Sequence, residues 1–183
     1  ELRNINTDWF KELIRNNLYQ KHNVSIRGGS EQTTYYISAN YTKQGGRLPG
    51  NDKQRMSLRM NLDQKLGHIG YALLSVNGGY AKTNTPNGST SDPTQLVYEL
   101  NPYETKDGGE LISYPGRTYK DLMNQFSQES AAKTAGISGS LTLNPLPGLD
   151  IAAVAGLDFL LDETEQFTPS TSYSEMTSGI PEL

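Results

Sequence analysis

The chain has 183 residues, a net charge of −4 and no cysteine. A thiolate metal site and a disulfide framework are therefore excluded, and an acidic chain with no basic cluster is a poor nucleic-acid binder. No run approaches the roughly 18 apolar residues that a membrane helix needs, but strand-built spans stay open, because their alternation keeps mean hydropathy low. The 18 glycines and 11 tyrosines fit turn-rich β structure. The chain opens at Glu1 with neither a methionine nor a signal peptide and closes at Leu183 in a polar stretch, so it reads as a processed or excised fragment whose missing targeting signals mean little.

Residues 1–21 read as a helical lead-in. Phe10, Leu13, Ile14 and Leu18 recur at helical spacing, with Thr7 or Asp8 to cap the start. Residues 22–81 read as four antiparallel strands. The first, near Asn23–Gly28, sets Val24 and Ile26 against Asn23, Ser25 and Arg27, and Gly28-Gly29-Ser30 signals a tight turn. The second, near Thr33–Thr42, sets Tyr35, Ile37, Ala39 and Tyr41 against Thr34, Tyr36, Ser38 and Asn40. The third, Arg55–Asp63, alternates most strictly: Met56, Leu58, Met60 and Leu62 against Arg55, Ser57, Arg59, Asn61 and Asp63. Successive side chains of a strand point to opposite faces, so one face is wholly apolar and the other polar and charged. Gly67 then turns the chain into a fourth strand near Ile69–Tyr80.

Residues 82–131 abandon the alternation and read as a long loop with short helices. Thr83–Asp92 is rich in Pro, Gly, Asn, Ser and Thr. Asp92-Pro93 caps a helix near Thr94–Leu100, and Tyr119, Leu122, Met123 and Phe126 space a second over Tyr119–Ser127. Residues 132–161 read as a hairpin of two strands, Ala135–Leu143 and Leu149–Phe159, joined at Asn144–Gly148. Residues 162–183 read as a polar tail. The connections at 28–32, 65–68 and 144–148 are tight, whereas those after strands two, four and six are long. The expected fold is all-β with minor loop helices, an antiparallel meander. Two sheets fit it: a soluble sheet with one face on a core, or a membrane barrel with lipid outside and water inside.

Candidate chemistry is sparse. His22 and His68 each stand beside a strand or turn, without the paired spacing of a metal site. Gly28-Gly29 and Gly45-Gly46 lack the lysine and following helix of a phosphate loop, and no nucleophile elbow is present. Asp162, Glu163 and Glu165 cluster, most simply as a solvated loop, and Asn23, Asn40 and Asn87 fall in sequons. No catalytic, cofactor or metal residue is assigned, no substrate-binding residue is identified, and no enzyme activity is expected.

Several stretches, taken in order, resemble one family. They are Asn6-Thr7-Asp8-Trp9, His22–Glu31, Tyr35–Tyr41, Arg55–Asp63 and Pro145–Phe159 around Pro147-Gly148-Leu149. Together they are similar to the TonB-dependent outer-membrane transporters of the SusC/RagA type of Bacteroidetes, in the barrel segment just after the plug. The resemblance implies a place in a barrel of about 22 strands with a plugged lumen in the outer membrane. It also implies energy from TonB through parts absent from this stretch, and a SusD-like surface lipoprotein that captures glycan or peptide for nutrient uptake. It makes 28–32, 65–68 and 144–148 periplasmic turns, and 43–52, 82–131 and the stretch after about 161 extracellular. No energy-coupling or ligand residue carries over. The residue pattern alone leaves two other readings, a soluble secreted β-sandwich binding module or adhesin, and a fragment of a β-rich secreted hydrolase, for which no acid or nucleophile pair is found.

Overall fold

The computed structural model describes residues 5–48, 50–85, 93–123 and 127–169. Six strands form one antiparallel sheet in sequence order: β1 (Tyr19–Gly29), β2 (Thr33–Gly45), β3 (Asp52–Lys65), β4 (Gly70–Thr85), β5 (Ser127–Leu146) and β6 (Leu149–Phe167). All six expected strands are present, each longer than its apolar alternation. The added length is polar, such as Thr83–Thr85 and Asp162–Gln166. There the backbone ladder carries the strand without apolar side chains, with Thr85 opposite Gln128 and Glu129 opposite Glu165. The expected 132–161 hairpin thus runs from 127 to 167, and the segment after 161 begins as sheet.

Among its described residues, 5–21, the lead-in is mostly not helical. Helix α1 covers only Trp9–Leu13, capped by Asp8, whose carboxylate accepts from the Lys11 N–H at 3.3 Å. Ile14 is already extended, and the Arg15 N–H donates to the Arg47 carbonyl at 2.9 Å. Asn17 donates to the Gly46 carbonyl, so the β2–β3 connection captures the segment the periodicity assigned to helix. Leu18 lies outside the helix and is exposed. Two further short helices are present: α2 (Pro93–Glu99) lies where the spacing placed it, and α3 (Tyr119–Met123) starts where expected but is shorter than Tyr119–Ser127, because Ser127 already opens β5. The cap at Asp92, the sequon at Asn87, Phe126 and the tail from 170 fall outside the described residues.

Turns and long connections segregate to opposite ends of the sheet. The short turns after β1, β3 and β5 share one end, and Gly148, at φ 83°, supplies the left-handed residue of the last. Among the described residues, the buried apolar core lies off the sheet. Trp9, Leu13, Leu96, Leu100, Leu111 and Leu122 pack together at the end with the long connections, so α1 and residues 93–123 form a small cap.

Candidate functional site

In an antiparallel ladder, residues directly opposite one another share a face, so the register fixes what each face of the sheet presents. One cross-strand row joins Val24, Ala39, Leu58, Gly78, Ala135 and Phe159. The next row on that face joins Ile26, Ile37, Met60, Val76, Ile137 and Leu157. This face is apolar across all six strands and open: Leu58 is 54% exposed and Leu157 76%. Its border at the long-connection end runs through His22, Tyr41, Met56, Tyr80 and Lys133, and the ring of His22 stacks on Tyr41. Beyond that border the same face turns charged, and Lys133 Nζ donates to the Glu163 carboxylate at 2.9 Å.

The opposite face is mostly polar, with Leu73, Val154 and Leu160 as its exposed apolar members. A row there joins Ser25, Ser38, Arg59, Asn77, Gly136 and Asp158. Gly136 is where the Asn77 and Asp158 side chains lean together, so a Cβ added there would meet both. The neighbouring row holds Asn23 and Asn40, hydrogen-bonded to each other, followed by Ser57, Gly79, Thr134 and the apolar Leu160. Ser38 is buried under this polar layer, and small residues leave a hollow of about 460 Å³ bordered by Tyr36, Arg55, Arg59 and Asn77.

The cap is held by polar contacts as much as by its core. Trp9 stacks on Tyr119 with centroids 5.6 Å apart, and its Nε1 donates to the Asn101 carbonyl at 2.9 Å. The buried Glu104 carboxylate accepts from the Asn101 N–H at 2.8 Å and the Ser113 N–H at 2.7 Å, which satisfies it. Thr118 and Asp121 form a reciprocal capping box for α3: the Thr118 N–H donates to Asp121 at 2.8 Å, and the Asp121 N–H to Thr118 Oγ1 at 3.3 Å. The backbone and hydroxyl donors of Thr118 hold the Asp121 carboxyl below the usual carboxylate range. Lys106 pairs with Glu12, and that hydrogen bond raises the Lys106 ammonium. Burial beside Trp9 pushes the Tyr119 phenol up.

The residues singled out for chemistry do not converge. His22 and His68 are on β1 and in the β3–β4 turn. The acidic cluster lies along β6, where alternation sends Glu163 and Glu165 to one face and Asp162 to the other. Among the described residues, no group of three His, Cys, Asp or Glu side chains could hold a metal. Sequence reasoning missed the polar hollow, because its members are spread over five strands and only the register brings them together. It also missed the packing of Trp9, which α1 turns inward.

No family model matches the chain. The TonB-dependent receptor SusC of Bacteroides thetaiotaomicron is 29% identical over 117 residues, 59% of this chain and 12% of SusC. The TonB-dependent receptor P3 of Formosa agariphila is 31% identical over 117 residues, 64% of this chain and 11% of that receptor. The solved structure of the RagAB peptide importer in its closed-closed state superposes with a TM-score of 0.73 at 22% identity, over 93% of this chain and 21% of that one. The RagAB peptide transporter gives a TM-score of 0.72 at 22% identity, over 89% of this chain and 20% of that one. The chain resembles a segment of a SusC/RagA-type TonB-dependent receptor. It spans about a tenth of the curated relatives and about a fifth of the matched solved chains. The fold is that of the matched part of the RagAB chain, and the relatives carry receptor and transporter names, not enzyme names.

Proposed function

We propose that the chain forms part of the wall of a TonB-dependent outer-membrane barrel. This transporter imports glycans or peptides together with a SusD-like surface lipoprotein, and takes energy from TonB through parts beyond this chain. The observation that carries the reading is the exposed apolar face, continuous over six strands and backed by a polar one. A soluble sheet buries such a face in protein, whereas a barrel gives it to lipid and turns the polar face to a wet lumen. The dimensions agree. From Ile151 to Leu161 of β6 the apolar side runs ten steps of about 3.3 Å, or about 23 Å of height at a strand tilt of about 45°. The apolar band of an outer-membrane barrel is about 25 Å tall.

In this arrangement the short turns face the periplasm and the cap faces outward, where a surface lipoprotein or incoming substrate meets it. No catalytic step is assigned to the chain. The test is uptake in the host. Deleting the gene abolishes growth on one class of glycan or peptide, removal of TonB reproduces the loss, and a surface lipoprotein co-purifies with the intact protein. Unchanged growth on every such nutrient, with the protein absent from outer-membrane fractions, would sink the proposal.

A further inference from the structure

Gly45-Gly46, which is no phosphate loop, has another use: it seats the segment between α1 and β1. The Asn17 amide donates to the Gly46 carbonyl, and its side chain lies against the Gly45 α-carbon. A Cβ at Gly45 would stand 2.5 Å from Asn17 Cγ and 2.8 Å from Asn17 Cβ, so only glycine leaves room for this approach. Two residues earlier, the Arg15 N–H donates to the Arg47 carbonyl at 2.9 Å. The β2–β3 connection is already closed on itself there, with the Gly46 N–H donating to the Asn51 carbonyl at 2.6 Å and the Asn51 N–H to the Leu48 carbonyl at 3.2 Å. Asn17 thus rests on a formed turn.

At its other end the same lead-in belongs to the cap. The Thr7 N–H donates to the Pro102 carbonyl at 2.7 Å, Glu12 pairs with Lys106, and Trp9 and Leu13 enter the cap core. These two joints differ in kind. The lead-in and 93–123 share a core of six buried apolar side chains. The described joint to the β2–β3 connection is two hydrogen bonds, whose loss water largely makes good. The seat at Gly45-Gly46 is therefore the joint that gives first.

We propose that Asn17 on Gly45-Gly46 is a latch that holds the cap against the β2–β3 connection. When it opens, α1 and 93–123 move as one body with their own core intact, and residues 15–18 serve as one of the hinges. The inference goes beyond the transporter reading, because it concerns how the cap moves and not what is carried. In that reading the cap faces outward, so opening the latch changes what incoming material meets.

The test uses the full-length parent protein, purified folded, with spin labels on Arg47→Cys in the β2–β3 connection and Tyr98→Cys on α2, any cysteine elsewhere in the parent being replaced by serine. The dipolar distance between the labels reports the latch, and hydrogen exchange over 93–123 reports the cap's own fold. With the latch intact the expected result is one narrow distance. Asn17→Asp replaces the amide donor by a carboxylate that the Gly46 carbonyl repels, and Gly45→Ala drives Asn17 off its seat. Each adds a second distance while exchange over 93–123 stays as slow as before, and unchanged exchange in β3 confirms that the sheet has formed. Asn16→Asp, the same charge change one residue away, keeps the single distance. The proposal is overturned if the distance stays single in both latch variants, because the cap is then held elsewhere. It is also overturned if exchange over 93–123 speeds up with the second distance, because the cap then unfolds instead of moving. Asn17→Asp decides the matter if Gly45→Ala does not fold. Both readouts are independent of what the protein carries, so failure of the transporter reading, seen as absence of the parent protein from the outer membrane, is a separate result.

Discussion

A charge placed on each face of β3 in turn gives a quantitative test of the register. Leu58 lies in the middle of the apolar face, flanked in its row by Ala39 and Gly78, while its neighbour Ser57 looks onto the polar hollow. In Leu58→Arg a guanidinium replaces an apolar side chain at lipid depth, which costs about 2–4 kcal/mol near the bilayer midplane. At about 1.4 kcal/mol per factor of ten, the folding equilibrium falls by about 30-fold to nearly 1,000-fold. Ser57→Arg, one residue away, puts the same group into a wet lumen beside Arg55 and Arg59. The cost there is mutual repulsion in water, about 0.5 kcal/mol or less. The assay is urea-driven unfolding of the parent barrel in lipid vesicles, followed by its electrophoretic heat shift. The reasoning is refuted if Ser57→Arg costs as much as Leu58→Arg, because the two faces would then meet the same environment.

The cap and the turns give three further predictions. Leu96→Ala removes a fully buried side chain from the loop core and costs the cap about 2–5 kcal/mol; hydrogen exchange speeds up over 93–123 and stays unchanged in β3. The Asp121 carboxyl is held below its usual range, so its contribution to α3 is complete above the ordinary carboxylate pKa and is lost as pH falls through the lowered value. Exchange protection around Thr118–Met123 therefore drops on acidification, and Asp121→Asn loses that pH dependence. Gly70 opens β4 with its α-carbon so close to the Thr142 carbonyl that a Cβ would collide with backbone. Gly70→Ala destabilises by about 1–3 kcal/mol, measured by the urea midpoint, whereas Gly78→Ala, which faces open space apart from Thr134, does not.

The sequence was most legible where one signal dominated. Strict alternation in Arg55–Asp63 predicted both the strand and its faces, and the spacing of turns predicted that long connections share one end. The pattern under-read strand length, because the ends of β4, β5 and β6 are polar and rest on backbone pairing, which has no side-chain signature. It over-read the lead-in, where Phe10, Leu13, Ile14 and Leu18 keep a helical period but Arg15 and Asn17 are taken by the β2–β3 connection. Tertiary hydrogen bonds outweighed local propensity there. The polar hollow was illegible for a different reason: Ser38, Arg59 and Asn77 are far apart in sequence, and only an exact register aligns them in one row. A one-residue slip of β3 would exchange Arg59 for Leu58.

The central claim is that Leu58 faces lipid while Arg59 faces water. Since the chain has no cysteine, single cysteines at these two positions can be labelled cleanly in this segment of the parent protein in intact outer membranes. The account predicts that Leu58→Cys reacts only with a lipid-phase probe and Arg59→Cys only with a water-soluble one. If both are shielded within protein, the apolar face is a soluble core, and the account is contradicted.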